Sequence, residues 1–312
     1  MSKRDLRKME DFTREDVERV FQLSMTLKDE VKRRVFRPLL AGCSMAMFFE
    51  KPSLRTRSTF DLGIYQLGGH SIYFQQAEVG LGQRESIPDV ARNLERWFDL
   101  IMARVFAQKT VDELAAYCSK PVINALSDEE HPCQALADFL TLKEYFGSLS
   151  NVTLAYVGDG NNVTNSLMLL AGLTGLKIRV ATPNGYAPKC EIVERARALH
   201  PDGAAGVFLT EDPQDAVRGC DAIYTDVWAS MGQEAEAEER AKVFASYQLN
   251  SKLASGAKPG AKIMHCLPAH RGLEITDELM DGPNAVVYDQ AENRLHVQKA
   301  VMAYLYEQSR AD

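Results

Sequence analysis

The sequence predicts an α/β protein of two domains, each a mainly parallel sheet flanked by helices, with the active site in the interdomain cleft. The chain has 312 residues, which is more than one domain usually contains. Short apolar runs alternate with longer helical patterns, as is typical of parallel sheets. Polar residues directly follow several of the apolar runs, at the strand ends where open α/β sheets bind ligands.

Composition disfavours several classes of protein. With 46% hydrophobic and 25% charged residues, the chain has an ordinary globular composition. The net charge of -7 disfavours nucleic acid and anionic membrane surfaces as partners. No apolar segment is long enough to span a bilayer, and no signal peptide is expected. The six cysteines are scattered rather than paired at short spacings, so a reducing, cytoplasmic location is expected.

The first elements lead to a helix start. Apolar residues recur at helical spacing from Thr13, a plausible N-cap, to about Arg34. The apolar run 44–49 predicts a buried strand. Lys51-Pro52 ends that strand, and Ser53 is a good N-cap for the next helix.

The run 53–57, Ser-Leu-Arg-Thr-Arg, opens this second helix. The backbone N–H groups and the macrodipole of a helix start attract anions. Arg55 and Arg57 add guanidinium forks, and Ser53 and Thr56 add hydroxyl donors. The motif alone fits a capped surface helix with two solvated arginines equally well. Its position directly after a strand favours a phosphate site.

Strand–helix units continue beyond the motif. Gly68-Gly69 ends its helix, and residues 71–74 read as a short strand. The Gly-containing stretch 75–88 predicts an irregular loop, either a surface turn or a mobile lid or subunit-contact loop. A helix from about 88 to 98 leads to a strand that ends at Arg104, an arginine placed to point into a ligand crevice.

A polar pair stands at the head of a later helix. His131 and Gln134 are three residues apart, so they share one face of its first turn. The positive helix end lowers the pKa of a histidine there and favours a neutral imidazole that donates one hydrogen bond. A capping His-Pro pair is the alternative. Pro132 in the first turn and Gln134 on the same face favour a polar site.

The second half begins a new series of strands and helices. The turn 147–151 divides domains at 1–147 and 148–290, and a helix at 291–312 is expected to pack back onto the first. The turn Gly-Asp-Gly-Asn-Asn at 158–162 lacks the third glycine of a dinucleotide fingerprint. Its asparagines, Asn162 among them, suit polar contacts to a small ligand.

Further strands are expected at 207–209, 222–224, 263–264 and 286–288. The second of these leads into Asp226 and Ser230-Met231-Gly232, followed by a charged run at 233–240 that is either a solvated helix face or a mobile flap. The third leads into His265-Cys266-Leu267-Pro268. Its spacing fits no closed zinc site, so no metal is expected.

In this order and at these separations, the motifs resemble the aspartate/ornithine carbamoyltransferase family along nearly the whole chain, and the second half resembles its ornithine branch. That resemblance implies transfer of a carbamoyl group from carbamoyl phosphate to the δ-amine of L-ornithine, giving L-citrulline and phosphate. The reaction would serve arginine biosynthesis or run in the reverse, catabolic direction. No metal or organic cofactor is implied. The implied assembly is a homotrimer or an assembly of trimers.

The resemblance also implies residue roles. The phosphate would be held by Ser53, the backbone of Leu54, Arg55, Thr56 and Arg57. Thr56, Arg104 and His131 would polarise the carbamoyl oxygen. Gln134, the Leu267 carbonyl and Arg294 would orient the carbamoyl nitrogen. Asn162, Asp226, Ser230 and Met231 would fix the α-amino and α-carboxylate groups of ornithine, while Asp226 and Cys266 direct its δ-amine. Arg104, His131, Asp226, Cys266 and Arg294 are thus the expected catalytic residues.

The sequence leaves two alternative functions open, and at one position it departs from the family pattern. The chain could carbamoylate another amine, such as putrescine or an acylated ornithine, or it could be a non-catalytic ligand-binding relative. Where relatives often supply a Gln or His to a neighbouring subunit's phosphate site, this chain has Gly80. Either Gln83 or Arg84 substitutes, or the intersubunit contact is absent.

Overall fold

The computed structural model describes residues 3–229 and 234–310. The described chain forms two compact units: one contains the residues up to Ala137 and from Glu292 onward, and the other contains Asp138–Ala291. Each unit is a parallel sheet with flanking helices, which confirms the predicted α/β class. The strands are β1 (Ser44–Phe49), β2 (His70–Gln75), β3 (Leu100–Arg104), β4 (Val122–Leu126), β5 (Thr153–Val157), β6 (Lys177–Ala181), β7 (Val207–Thr210), β8 (Ala222–Thr225) and β9 (Lys262–His265).

Helices connect these strands, and the longer ones bury apolar residues on one side. They are α1 (Arg14–Lys32), α2 (Leu54–Gln66), α3 (Gln76–Val79), α4 (Ile87–Trp97), α5 (Gln108–Tyr117), α6 (Pro132–Phe146), α7 (Asn162–Thr174), α8 (Cys190–Leu199), α9 (Pro213–Val217), α10 (Ala237–Val243), α11 (Ser251–Ala254), α12 (Asp277–Met280) and α13 (Val287–Arg310). Short 3-10 helices lie at Met9–Asp11, Gly203–Ala205, Glu234–Glu236 and Ala245–Tyr247.

The first unit has a four-stranded sheet in the order β2-β1-β3-β4, with every neighbouring pair parallel. β3 and β4 carry apolar side chains on both faces, so these strands are buried almost throughout. The strand order reverses between β1 and β3, because β2 lies on one side of β1 and β3 on the other. The loop after β1 and the end of β3 therefore meet at a topological switch point, where such sheets bind ligands.

The second unit has a five-stranded sheet in the order β7-β6-β5-β8-β9, again with parallel neighbours throughout. Its core packs Trp228, Phe244 and Tyr247 with aliphatic residues from the strands. The strand order reverses between β5 and β8. The turn that follows β5 and the loop that follows β8 are thus adjacent at a second switch point.

Two sequence-based expectations were wrong in detail. The run 286–288 is not a strand, because α13 begins at Val287 and the amide of Gln290 already donates to the carbonyl of Val286. Beside β9, the amide of Val286 donates to the carbonyl of Ile263 at 2.9 Å, before the chain enters α13. The stretch 75–88 is also more regular than expected, since it contains the one-turn helix α3.

A buried lysine on α13 makes stability depend on pH. Lys299 is only 2% exposed, and its ammonium donates to the amide oxygen of Gln66 at 2.9 Å. Burial lowers the pKa of Lys299 from 10.5 to about 8. Between these values the unfolded chain holds a proton that the folded protein has released, so this group's contribution to stability rises with pH across that window.

We therefore expect the free energy of unfolding of Lys299→Met, measured relative to wild type, to fall as the pH rises from about 8 to about 10.5. Urea unfolding at both ends of that window measures the difference. Lys109→Met, at a lysine whose side chain is 82% exposed, serves as the control. A wild-type-to-variant difference that stays constant with pH would contradict the assignment.

Within the described residues, no helix combines the length and the apolar character needed to cross a bilayer.

Candidate active site

The first cluster of predicted site residues begins at the start of α2. Ser53 has extended backbone angles, and its hydroxyl accepts a hydrogen bond from the amide of Thr56 at 3.2 Å. This is the N-cap that the sequence predicted, and it directs the first turn of α2 toward the switch point between β1 and β3. Thr56, in that first turn, is buried.

Thr56 is the centre of a group that we call the threonine cluster: Thr56, Arg104, Gln134 and Arg294. Arg104 Nη1 lies 3.4 Å from the Thr56 hydroxyl, and Arg294 Nη2 lies 3.3 Å from it. Arg294 Nη1 also donates to the side-chain oxygen of Gln134. Both guanidinium groups are buried, with exposures of 7% and 2%. Two fixed positive charges beside a helix N-terminus form a strong anion site.

The positive charges of this cluster act on His131. It is buried, and burial is the first cause that lowers its pKa well below 6.5, followed by the positive charges of Arg294, Arg104 and Arg55. The imidazole is therefore neutral at about pH 7. A neutral imidazole keeps one N–H, so it can donate a hydrogen bond to a carbonyl oxygen without adding a third charge.

The remaining predicted residues of this region are placed differently. The Arg57 guanidinium lies over the ring of Tyr73, 3.9 Å from its centroid, and the residue is exposed. The Leu54 side chain is exposed as well, and a phosphate contact through its backbone stays a prediction. Arg55 is half-buried, and its charge contributes to the lowered pKa of His131. The structure thus separates the two arginines of the motif by environment.

Gly80 has a conformational reason to be glycine. It caps α3 in the left-handed region with a φ of 64°, and a Cβ there would stand 2.8 Å from the Cβ of Arg84. A side chain at this position would be strained in this turn. The amides of Gln83 and Arg84 both donate to the Gly80 carbonyl, at 2.9 and 2.7 Å, so the two candidate substitutes lie in the same tight turn.

A second group lies at the switch point of the other unit, and we call it the aspartate cluster: Asn161, Asp226 and Cys266. One Asp226 carboxylate oxygen accepts from the Cys266 thiol at 2.8 Å and from the amide of Val227 at 2.8 Å. The other accepts from the Asn161 side-chain amide at 2.9 Å. Asp226 is buried, so these three donors hold its carboxylate in one orientation.

Sequence reasoning selected Asn162 from this turn and missed Asn161. Asn161 is the N-cap of α7, where its side-chain oxygen accepts from the amides of Val163 and Thr164 at 3.0 and 3.1 Å. That leaves its amide group to reach Asp226. Asn162 is the first residue of α7. The N-cap signal was present in the sequence, but the contact with Asp226 depends on the packing of β5 against β8.

Cys266 acts here as a thiol rather than a thiolate. Burial and the neighbouring Asp226 carboxylate raise the pKa of Cys266 well above 9.0. The proton therefore stays on sulfur at neutral pH, where it is donated to Asp226. The Asp226 side chain beside a protonated thiol offers hydrogen-bond acceptor oxygens, which suit an ammonium or amine ligand.

The backbone around Leu267, whose carbonyl is a predicted ligand contact, has two uncommon features. Leu267 has a positive φ of 59° and precedes a cis peptide bond to Pro268. Its amide donates to His265 Nδ1 at 2.8 Å, and the other ring nitrogen of His265 lies 3.2 Å from a Glu274 carboxylate oxygen. These contacts fix the loop that carries Cys266 and Leu267.

Asp226, His265 and Cys266 place potential metal-ligand atoms within 4.8 Å of one another. Both ring nitrogens of His265 already have hydrogen-bond partners, Leu267 and Glu274. A thiol would also have to lose its proton to bind a metal, and the raised pKa of Cys266 opposes that loss. This arrangement therefore fits hydrogen bonding to a substrate better than metal binding.

The predicted ornithine contacts Ser230 and Met231 lie outside the described residues.

Two protein-family models match the chain, and each covers residues of one of the two clusters. Residues 4–144 match the family model described as aspartate/ornithine carbamoyltransferase, carbamoyl-P binding domain, and residues 150–305 match the one described as Asp/Orn binding domain. The chain belongs to the aspartate/ornithine carbamoyltransferase family. Thr56, Arg104 and Gln134 fall within the first match, and the whole aspartate cluster falls within the second.

Individual carbamoyltransferases resemble the chain over almost its full length. An ornithine carbamoyltransferase of Thermococcus kodakarensis is 50% identical over 302 residues, which cover 96% of this chain and 95% of that protein. The solved ornithine carbamoyltransferase from Pyrococcus furiosus superposes with a TM-score of 0.94 at 48% identity, covering 97% of this chain and 96% of that one. An anabolic ornithine carbamoyltransferase from Campylobacter jejuni gives a TM-score of 0.92 at 35% identity, covering 99% and 100%.

Proposed function

We propose that the protein is an enzyme that transfers the carbamoyl group of carbamoyl phosphate to the δ-amine of L-ornithine, forming L-citrulline and phosphate. The observation that carries this proposal is the aspartate cluster, because a fixed carboxylate with a protonated thiol is what an amine nucleophile requires. Relatives 45–50% identical to the chain are named ornithine carbamoyltransferases, which supports the choice of amine.

The first unit binds carbamoyl phosphate in this proposal. Ser53, Arg55 and the first-turn amides of α2 hold the phosphate, with the Leu54 backbone and Arg57 as the further contacts that family resemblance implies. Thr56, Arg104 and neutral His131 donate to the carbamoyl oxygen, where negative charge develops. Removing one such donor typically costs about 10²–10³ in rate. Gln134 and Arg294, joined by a hydrogen bond, orient the carbamoyl nitrogen, together with the Leu267 carbonyl.

The second unit binds the amino acid in this proposal. Asn162, Ser230 and Met231 hold the α-amino and α-carboxylate groups of ornithine, together with Asp226. Asp226 and Cys266 direct the δ-amine at the carbamoyl carbon. The δ-nitrogen bonds to the carbamoyl carbon and gives a tetrahedral oxyanion. The C–O bond to phosphate then breaks, and the proton lost by the amine leaves with the phosphate. A free alkylamine is largely protonated at about pH 7, so the site must bind or create the neutral form.

We extend the proposal to assembly, location and direction. A homotrimer, or an assembly of trimers, is supported by exposed apolar residues on α2 and β2: Leu54, Leu62, Tyr65 and Ile72. A cytoplasmic location is supported by six cysteines that form no disulfide. The direction toward citrulline is supported by the Campylobacter jejuni relative, which is described as anabolic. Light scattering of the purified protein tests the trimer.

A colorimetric assay for ureido products tests the reaction itself. Purified protein and carbamoyl phosphate are offered L-ornithine, putrescine, L-aspartate and N-acetylornithine in parallel. We expect rapid product formation with L-ornithine alone. Product with another amine would retain the chemistry of the threonine cluster but overturn the amino-acid assignment of the second unit. A protein that binds citrulline yet turns over none of the amines would instead be a non-catalytic relative.

A further inference from the structure

A carboxylate is buried in the second unit, at a position that the proposed mechanism does not use. Asp138, on α6, is 0% exposed. One of its oxygens accepts from the hydroxyl of Tyr224 at 3.0 Å, and the other accepts from the side-chain amide of Gln290 at 2.8 Å. We call these three buried residues the Asp138 network. Burying a carboxylate costs free energy even when donors face it, so stability alone does not explain this residue.

Gln290 connects the network to the end of β9. This strand is the last in its sheet, so one row of its amides has no neighbouring strand to bond. In that row, the amide of Ile263 donates to the carbonyl of Asn284 at 2.9 Å. The amide of His265 donates to the side-chain oxygen of Gln290 at 3.0 Å. Because His265 directly precedes Cys266, Gln290 anchors the backbone at the point where Cys266 leaves the strand.

Asp138 fixes which way round the Gln290 side chain lies. A glutamine amide can turn over, which exchanges its donor nitrogen with its acceptor oxygen. Here the nitrogen faces a carboxylate oxygen of Asp138, and the oxygen faces the His265 amide. The opposite orientation would set acceptor against acceptor at Asp138 and donor against donor at His265. Asp138 therefore keeps the Gln290 oxygen aimed at the end of β9.

The network also acts on the Cys266 thiol. Tyr224 lies on β8 two residues before Asp226, and its ring stacks on that of Tyr156 with centroids 5.8 Å apart. Burial and the Asp226 carboxylate are the main causes that raise the pKa of Cys266 well above 9.0. The Asp138 charge acts on this pKa in the same direction, and the Tyr224 hydroxyl opposes it. Both groups are thus close enough to the thiol to influence it.

We propose that Asp138 is a positioning residue for the reacting groups at the end of β9. It acts through Gln290, which anchors the backbone that carries Cys266 and Leu267. This inference rests on the proposed function, in which the Cys266 thiol directs the amine and the Leu267 carbonyl orients the carbamoyl nitrogen. Asp138 itself holds no substrate there. Its loss should therefore slow the chemical step more than it weakens the binding of either substrate.

Kinetics of Gln290→Glu test the polarity of this contact. The variant sets a carboxylate against the carboxylate of Asp138, and no donor joins them unless one of the two binds a proton. We expect kcat for citrulline formation, relative to wild type at the same pH, to fall by about 10-fold at about pH 8.5. The ratio should recover at about pH 6, where proton uptake restores the donor.

Other titratable groups near this pair do not account for such a profile. Burial raises the pKa values of Tyr156, Tyr224 and Cys266 well above their ordinary values, so none of them ionises in this range. Asp226 and His265 are further titratable groups that lie close by. Both are present in wild type, as is the amine of the substrate, so the ratio of variant to wild type cancels their titration.

The double variant Asp138→Asn/Gln290→Glu exchanges the amide and the carboxylate. The new amide nitrogen at position 138 donates to the new carboxylate, whose other oxygen still accepts from the His265 amide. The new amide oxygen accepts from the Tyr224 hydroxyl. Each of these hydrogen bonds replaces one of the wild-type network, so kcat should return to within about 2-fold of wild type at both pH values. Asp138→Asn/Gln290→Met cannot form this contact and should stay slow.

Two further measurements separate positioning from general damage to the second unit. L-Norvaline has the α-amino acid end of ornithine but no δ-amine, so its dissociation constant should change by less than about 3-fold in Gln290→Glu. Alkylation of Cys266 by iodoacetamide proceeds through the thiolate and should become about 5-fold faster as the sulfur moves away from Asp226. A Cys190→Ser background removes an exposed cysteine that would also react.

Gln214→Glu is the matched control, because it makes the same chemical change at an exposed glutamine of the same unit. It should alter neither the pH dependence of kcat nor the alkylation rate. The inference is overturned if folded Gln290→Glu keeps the wild-type kcat at both pH values, if Asp138→Asn does not rescue it, or if L-norvaline binding is lost together with kcat. If Gln290→Glu does not fold, Gln290→Met carries the kcat and alkylation tests.

Failure of the proposed function is distinguishable, because wild-type protein would then give no product in the ornithine assay. The alkylation of Cys266 requires no turnover, so its rate still reports whether the Asp138 network fixes this side chain. An unchanged rate in Gln290→Glu would then overturn the inference on its own.

Discussion

We expect replacement of Arg104 by Met to lower kcat/KM for carbamoyl transfer by about 10³, because in the proposed mechanism it removes a preorganised donor from the position where the oxyanion forms. The Arg104 guanidinium lies 3.4 Å from the Thr56 hydroxyl and contributes to keeping His131 neutral. Met matches the aliphatic stem of Arg104 but lacks the guanidinium, so most of the apolar packing is kept while the charge and its donors are removed. Initial-rate assays over both substrates measure the loss.

Arg33→Met is the matched control in the same unit. Arg33 pairs with Asp29 at the surface, and its side chain is 62% exposed. Substitutions of this kind change stability by about 0.5 kcal/mol or less and should leave kcat/KM unchanged. Circular dichroism and thermal unfolding of both variants show whether they remain folded. A folded Arg104→Met protein with near-normal turnover would remove Arg104 from the proposed mechanism.

Replacing Asp226 by Asn should lower kcat by about 10²–10³ and raise the KM for L-ornithine, with little effect on the KM for carbamoyl phosphate. Three donors point at this carboxylate: the Cys266 thiol, the Asn161 amide and the amide of Val227. An asparagine offers only one acceptor oxygen, so at least one of these contacts becomes donor against donor. The substitution also removes the negative charge that attracts an amine.

Asp215→Asn, at a surface carboxylate that pairs with Arg218, controls for the loss of one negative charge in the same unit. A direct measurement of ornithine binding by calorimetry complements the kinetics, because it separates the ground state from the transition state. If Asp226→Asn bound and turned over ornithine normally, the amine would have to be oriented by groups other than the aspartate cluster.

Local patterns were enough to predict those features whose causes are local. Ser53 was recognised as an N-cap because a side-chain oxygen before a helix start has one common use. Strands β1 and β3 were recognised because an apolar run flanked by turn signals has few other interpretations. The same reasoning predicted a strand at 286–288, which is wrong. Its β-branched and aromatic residues suit a strand, but tertiary contacts turn the chain into α13 there.

Features that depend on distant parts of the chain were predicted by resemblance or not at all. Arg294 is far from Thr56 in sequence, and only family motifs suggested that the two act together, as the 3.3 Å contact now supports. Asn161 offered an N-cap signal, but its contact with Asp226 arises from the order of β5 and β8 in the sheet. Periodicity and composition do not encode which strands become neighbours.

The hydrogen bond from Cys266 to Asp226 has a consequence for chemical durability. Peroxide oxidation of cysteine proceeds through the thiolate, so a sulfur held protonated by its neighbour enters the path to sulfenic and sulfinic acids slowly. Most cysteines at reaction centres are activated and are therefore exposed to this damage. Here sulfur serves as a weak hydrogen-bond donor. In its proposed role beside the amine, Cys266 thus avoids the redox vulnerability that a nucleophilic cysteine carries.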